Sequence, residues 1–272
     1  MLQDITIGQY IDTGSFLHKM DARIKLLLTL LFVVVLFLID SPISYGVFTA
    51  FVVFLVWLSK IPVRFLLKGL KPMFFILIFT VLLNVFMMPG TPLWEQSVFG
   101  WFTLRITYEG LRSAVLMALR LLYLVVGTSL LTLSTTPLML TDGVEKLLKP
   151  FEKIKVPSHE IAMMMTIAIR FIPTLAEETD KIIKAQTARG ADFESGNLIK
   201  RAKAMIPLLV PLFVSAFRRA DDLATAMDAR CYHGGKNRTR MKQLKITKRD
   251  VFAFLIVLLF FAGLVLAEFL VF

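Results

Sequence analysis

Ile24-Lys-Leu-Leu-Leu-Thr-Leu-Leu-Phe-Val-Val-Val-Leu-Phe-Leu-Ile39 is followed by only Asp40-Ser-Pro42 before a second apolar run, Ile43–Leu58, begins. Each run is slightly short of the ~20 residues that cross a hydrocarbon core, and approaches that length with its flanks. The connection is tight and nearly uncharged, so the pair reads as a helical hairpin in a bilayer. Composition points the same way. The chain of 272 residues is 57% hydrophobic and 19% charged, with a mean hydropathy of +0.72. A soluble domain of this length has too little interior to hide that much apolar surface.

Three more apolar runs follow, Pro72–Met88, Leu111–Leu133 and Val251–Phe272. Lys60, Arg64, Lys68 and Lys71 fall in one short linker with no acid among them, and residues 134–249 hold most of the remaining positive charge. The net charge of +11 thus lies between apolar runs, as in cytoplasmic loops, and no nucleic-acid partner is expected. Residues 89–110 carry Trp94, Trp101 and Tyr108, which suits an interfacial loop on the opposite side. With both cationic regions inside, the pattern predicts an all-α integral membrane protein. It has about five transmembrane helices plus long helices on the cytoplasmic face, its N-terminus inside and its C-terminus outside. The divisions are 1–133, an N-terminal cytoplasmic arm and four spans; 134–249, a cytoplasmic region; and 250–272, a last span. A single cysteine, Cys231, excludes an intramolecular disulfide.

Region 134–249 contains two long helical patterns. Ser158 is a natural N-cap with Glu160 in the first turn, and apolar residues recur at three- and four-residue steps as far as Ile183. A second pattern starts near Asn197 and runs to Met227, with Pro207 and Pro211 inside it. The apolar segments 161–172 and 206–217 are short for spans, so the helices are expected to lie partly along the membrane face. A pair of crossings would preserve the same end topology and stays open. The two patterns end alike, in Ala185-Gln-Thr-Ala188-Arg189-Gly190 and Ala226-Met-Asp-Ala229-Arg230-Cys231. One such arginine has a plain explanation, as a partner for the negative end of the helix dipole. Two of them between small residues, Ala188/Gly190 and Ala229/Cys231, suggest a planar cationic fork offered twice to acceptors in a partner's groove.

Catalysis has little support. His18, His159 and His233 are far apart, and His159-Glu160 lacks the second histidine of the metalloprotease helix. Gly234-Gly235-Lys236-Asn237 lacks the spacing and hydroxyl of a phosphate-binding loop, so the chain is not expected to bind ATP or another cofactor or metal. Polar residues within the spans are few: Asn84, Arg120, Tyr123 and Glu268. Arg120 is a functional candidate because an intramembrane charge is costly. Its plain alternative is snorkelling, or pairing with a group such as Glu268. A stand-alone secondary permease is the competing function, and it would need more midplane polarity than these spans offer.

Several segments resemble the transmembrane T component (EcfT) of energy-coupling-factor (ECF) transporters, a class of ABC importers for vitamins and metal ions. They are Tyr10-Ile-Asp-Thr-Gly-Ser15-Phe-Leu-His18-Lys-Met-Asp21-Ala-Arg23-Ile-Lys25-Leu-Leu, Arg170-Phe-Ile-Pro173-Thr-Leu-Ala-Glu-Glu, Ala185–Gly190, and Ala226–Gly235. Ala22 stands where the family usually has proline, and Cys231 where the second motif usually has glycine. The resemblance implies a coupling subunit of a micronutrient importer that is not itself an enzyme. Two cytosolic ABC-type ATPase subunits would hydrolyse ATP. One would dock on Ala188, Arg189 and Gly190, the other on Ala229, Arg230 and Cys231. The long helices would be coupling helices touching a membrane-embedded substrate-binding subunit.

Overall fold

The computed structural model describes residues 10–98, 102–193, 197–234 and 246–271. The Lys236 side of the polar segment after the second Ala-Arg motif lies outside the described residues. The chain divides into two compact units, residues 8–143 with 244–272 and residues 1–7 with 144–243.

In the first unit, α1 (Phe16–Lys19) and its preceding arm lead into α2 (Ala22–Leu38). The Asp21 carboxylate starts α2 by accepting from the Arg23 backbone N–H at 2.9 Å and from the Arg23 guanidinium. Burial pushes the Asp21 carboxyl up, but the Arg23 hydrogen bonds outweigh it and hold the group below its ordinary value. α3 (Pro42–Ser59) begins with proline at its first position, and the Ser41 hydroxyl accepts from Ile43 N–H at 3.3 Å. α4 (Val63–Leu70), a 3-10 turn at Lys71–Met73, and α5 (Phe74–Met87) follow. The cationic linker is therefore helical and continuous with the third span rather than a loop. Arg64, Lys68 and Lys71 fall at four- and three-residue steps, one helix face.

Between α5 and the next helix, β1 (Pro92–Val98) pairs antiparallel with β2 (Phe102–Thr107), a small hairpin where a loop was expected. α6 (Tyr108–Ser134) starts where the Thr107 hydroxyl accepts from Gly110 N–H at 3.1 Å. α7 (Pro137–Leu148) leaves this unit, which is completed by α10 (Lys248–Val271).

Four described helical segments are long and apolar enough to cross a membrane: Pro42–Ser59, Val63–Met87, Tyr108–Ser134 and Lys248–Leu270. At 17 residues, α2 sits at the short end of the spanning range. The core joins α2, α3, α6 and α10 through Phe32, Leu36, Phe48, Tyr123, Leu130 and Phe261. α6 approaches α2 closely at Gly127, where a Cβ would lie 2.4 Å from a Phe32 ring carbon. On the outside, α5 has no buried residue and exposes Phe74 and Phe75, a belt suited to lipid rather than water. The arm folds against this bundle. Ile11 N–H donates to Leu133 O at 3.0 Å, and Thr13 Oγ1 to Ser59 O at 2.9 Å. His18 Nε2 donates to Ile11 O at 2.7 Å, and its Nδ1 lies 2.7 Å from the Ser15 hydroxyl oxygen.

The second unit is built on α8 (Ser158–Ala188) and α9 (Leu198–Ala229), preceded by a 3-10 segment at Lys149–Ile154. The expected helix from Ser158 is present, with one correction. Ser158 is the first helical residue rather than the cap; its hydroxyl donates to Glu152, and Pro157 occupies the cap position without a side-chain bond. Pro173 lies inside α8, and Pro207 and Pro211 lie inside α9, without ending either helix. Neither α8 nor α9 is among the helices apolar enough to span.

Candidate functional site

Both Ala-Arg endings close with the same hydrogen-bond pattern. At the first, Gly190 N–H donates to Thr187 O and Ala191 N–H to Gln186 O, both at 2.9 Å. At the second, Cys231 N–H donates to Asp228 O at 2.9 Å and Tyr232 N–H to Met227 O at 3.1 Å. Each is a Schellman cap, which uses a left-handed residue to satisfy the last carbonyls of a helix. Gly190 supplies it with φ +87° and Cys231 with φ +55°. The cysteine keeps the cap geometry, then, although an L side chain is strained there.

In both caps the arginine is the last residue before the left-handed turn. Ala188, Arg189 and Gly190 are exposed, and so are Ala229, Arg230 and Cys231. No described carboxylate pairs with Arg189 or Arg230. Two equal cationic tips with small neighbours therefore project from one unit.

Three contacts set how the helices carry those tips. Glu178 on α8 accepts from Ser215 and, at 3.2 Å, from Arg219 on α9. Further along α8, Gln186 Nε2 donates to Pro207 O at 3.4 Å. Near the start of α8, Glu160 lies 4.0 Å from where a Gly234 Cβ would be. As α8 numbers rise the α9 numbers fall, so the helices run antiparallel. At 1.5 Å per residue the two arginines then stand up to about 35 Å apart. Pro211 explains the Gln186 contact. Its missing N–H leaves the Pro207 carbonyl without its helical donor, and Gln186 fills that place. This link escaped sequence reading, although Pro207 and Pro211 four residues apart were its signal.

α9 also presents an apolar stripe. Ile206, Val210, Phe213 and Phe217 recur at four- and three-residue steps and are 55, 56, 60 and 69% exposed. These residues form an exposed apolar stripe on α9 rather than core.

Arg120 does not belong to this site. Its Nε donates to Tyr45 OH at 2.8 Å, and its Nη2 to Ile39 O at 2.9 Å and to Asp40 Oδ1 at 2.8 Å. Glu268, the partner suggested by sequence, turns to the same connection by another route. It accepts from Asp40 N–H at 2.9 Å and Ser41 N–H at 2.7 Å, and from the Ser44 hydroxyl. Both charges therefore fasten the turn between α2 and α3. Asn84 is likewise satisfied locally, donating to Thr80 O at 2.8 Å. His159 Nδ1 lies 3.3 Å from Glu145 Oε1, a side-chain contact within the second unit.

A family model described as "CbiQ: Cobalt transport protein" matches residues 13–241, which include α1 to α9 and both Ala-Arg ends but not α10. The chain belongs to this family. Its relatives include the energy-coupling factor transporter transmembrane protein EcfT of Ruminiclostridium cellulolyticum, 55% identical over all of both chains. EcfT of Clostridium kluyveri is 56% identical over 93% of each chain. The Bacillus subtilis protein of the same name is 48% identical over 92% of this chain and 93% of its own. Together with the apolar helices, this family membership makes the chain a membrane protein and an ECF-transporter transmembrane component.

Proposed function

We propose that the chain is the coupling subunit of an ECF importer and docks two cytosolic ABC-type ATPases, one at each Ala-Arg end. The observation that carries this is the pair of exposed arginines on identically built helix caps within one unit. In this reading Arg189, flanked by Ala188 and Gly190, enters an acceptor-lined groove of one ATPase. Arg230, flanked by Ala229 and Cys231, enters the other. A guanidinium presents five donors in a fixed fork, and small neighbours let a partner backbone approach. The ATPases bind and hydrolyse ATP; this chain holds no nucleotide or other cofactor. The α9 stripe from Ile206 to Phe217 faces a membrane-embedded substrate-binding subunit. Movement of the ATPases turns the helix pair and reorients that subunit for uptake of a vitamin or metal ion. The arm and the 134–249 region are cytoplasmic and the C-terminus outside, which brings both tips to the ATPases.

A stand-alone permease, motivated by the apolar spans and by Arg120, draws less support from Arg120, whose bonds go to its own fold. The test is the double variant Arg189→Glu with Arg230→Glu. It should insert in the membrane and lose co-purification with both ATPases, whereas undiminished ATPase association would refute docking through these ends.

A further inference from the structure

The bundle holds a cavity of about 690 Å³ that the coupling role does not use. That volume is within the roughly 300–1,000 Å³ of ligand sites. Its walls come from α2, α3, α6 and α10, with Phe16 of α1 at one end. From Arg249 to Phe261 along α10 it extends ~18 Å at 1.5 Å per residue. This is close to one leaflet's half of a hydrocarbon core of ~30 Å. At its inner end the rings of Phe32 and Phe261 close it, with Phe261 1% exposed. Its side is open, since Phe54, Phe252 and Ile256 line it while 52, 67 and 50% exposed.

The two charged side chains lining the cavity, Lys25 and Arg249, are both cationic and lie at the same end. Lys25 Nζ donates to Ser134 O at 2.8 Å and Thr135 Oγ1 at 3.1 Å, which leaves one of its three protons unused. Two carboxylates stand near that end: Asp21, paired with Arg23, and Asp250, which accepts from the Thr247 N–H at 3.0 Å and its hydroxyl at 2.7 Å; both also attract Lys25, and Arg249 supplies the charge left over. Arg249 is exposed, and no described carboxylate pairs with it. A neighbouring cavity of about 490 Å³ shares Val47 and Phe260 but has no cationic lining residue.

We infer that the larger cavity is a binding site for an anionic phospholipid, with one acyl chain between α3 and α10 and its phosphate at Arg249 and Lys25. An apolar slot one leaflet deep, open sideways and positive at its polar end, complements that ligand. A partner's transmembrane helix would need a groove of full membrane depth and would gain nothing from the two cations.

The test uses the full chain purified in detergent, with phosphatidylglycerol and phosphatidylcholine as probes and native mass spectrometry as readout. The unsubstituted chain should retain phosphatidylglycerol over phosphatidylcholine, and Arg249→Gln should weaken its retention roughly fivefold, the effect of one basic side chain near anionic lipid. Ala253→Trp, which narrows the slot without touching its charge, should reduce retention of both lipids while the thermal transition persists. Equal retention of the two lipids, or preference unchanged in Arg249→Gln, would overturn the inference. So would crosslinking of Phe54 positions to a partner helix rather than to lipid in the assembled complex.

Discussion

Replacing Cys231 with glycine and Gly190 with alanine should move the two helix ends in opposite directions. The caps share their hydrogen bonds, and both turn residues have positive φ. A left-handed L residue costs about 1–2 kcal/mol. Glycine relieves that cost at 231 but adds about 0.5–1 kcal/mol of chain entropy to be lost on folding. The net gain is about 0.5–1 kcal/mol, a two- to fivefold slowing of local opening. At Gly190 the space around a new Cβ is open, so the loss for alanine is conformational alone. It should be about 1 kcal/mol, or fivefold faster opening. Hydrogen exchange of the Ala191 and Tyr232 amides, which close the two caps, reads these effects directly. Faster exchange at Tyr232 in Cys231→Gly, or slower exchange at Ala191 in Gly190→Ala, would refute the strain argument.

Two further outcomes follow from the bundle. Gly127→Ala should destabilise it by about 1–3 kcal/mol, because its Cβ would meet the Phe32 ring at 2.4 Å. Phe32→Leu should recover part of that loss in a double-mutant cycle of thermal unfolding, and strict additivity would show that the contact is relieved elsewhere. Arg120→Met should cost about 1–3 kcal/mol by leaving Tyr45 and the Ile39 carbonyl without their donor. Because that clasp is structural, a lowered thermal transition with ATPase co-purification intact is the expected result.

The apolar runs alone located α2, α3, α5, α6 and α10, because a bilayer demands length and continuity that few soluble helices have. The caps that start α2 and α3, Asp21 and Ser41 before Pro42, are local chemistry that the run lengths did not reveal. What local sequence could not supply was partnership across the fold. Glu268 was one partner the sequence offered Arg120, yet each reaches the α2–α3 connection separately, and nothing in their spacing distinguishes the two arrangements. The 92–107 hairpin was read as a loop because its short strands gain stability from pairing rather than from intrinsic pattern. The α4 helix was missed for another reason. Its basic residues were counted as loop charge, although their spacing already placed them on one helical face.

The antiparallel pairing of α8 and α9 gives the repeated ending its structural sense. Sequence repetition alone would place two similar tips on two helices without relating them. Gln186 joins the first ending to Pro207 in the first half of α9, while Gly234 brings the chain just beyond the second ending beside Glu160 in the first turn of α8. Each ending is thus supported near the other helix's beginning, and Glu178 ties the middle through Ser215 and Arg219. A force applied at one arginine meets a braced pair rather than a lone helix end. The prolines in α9, which on propensity alone should weaken it, instead expose the carbonyl that makes one of those braces.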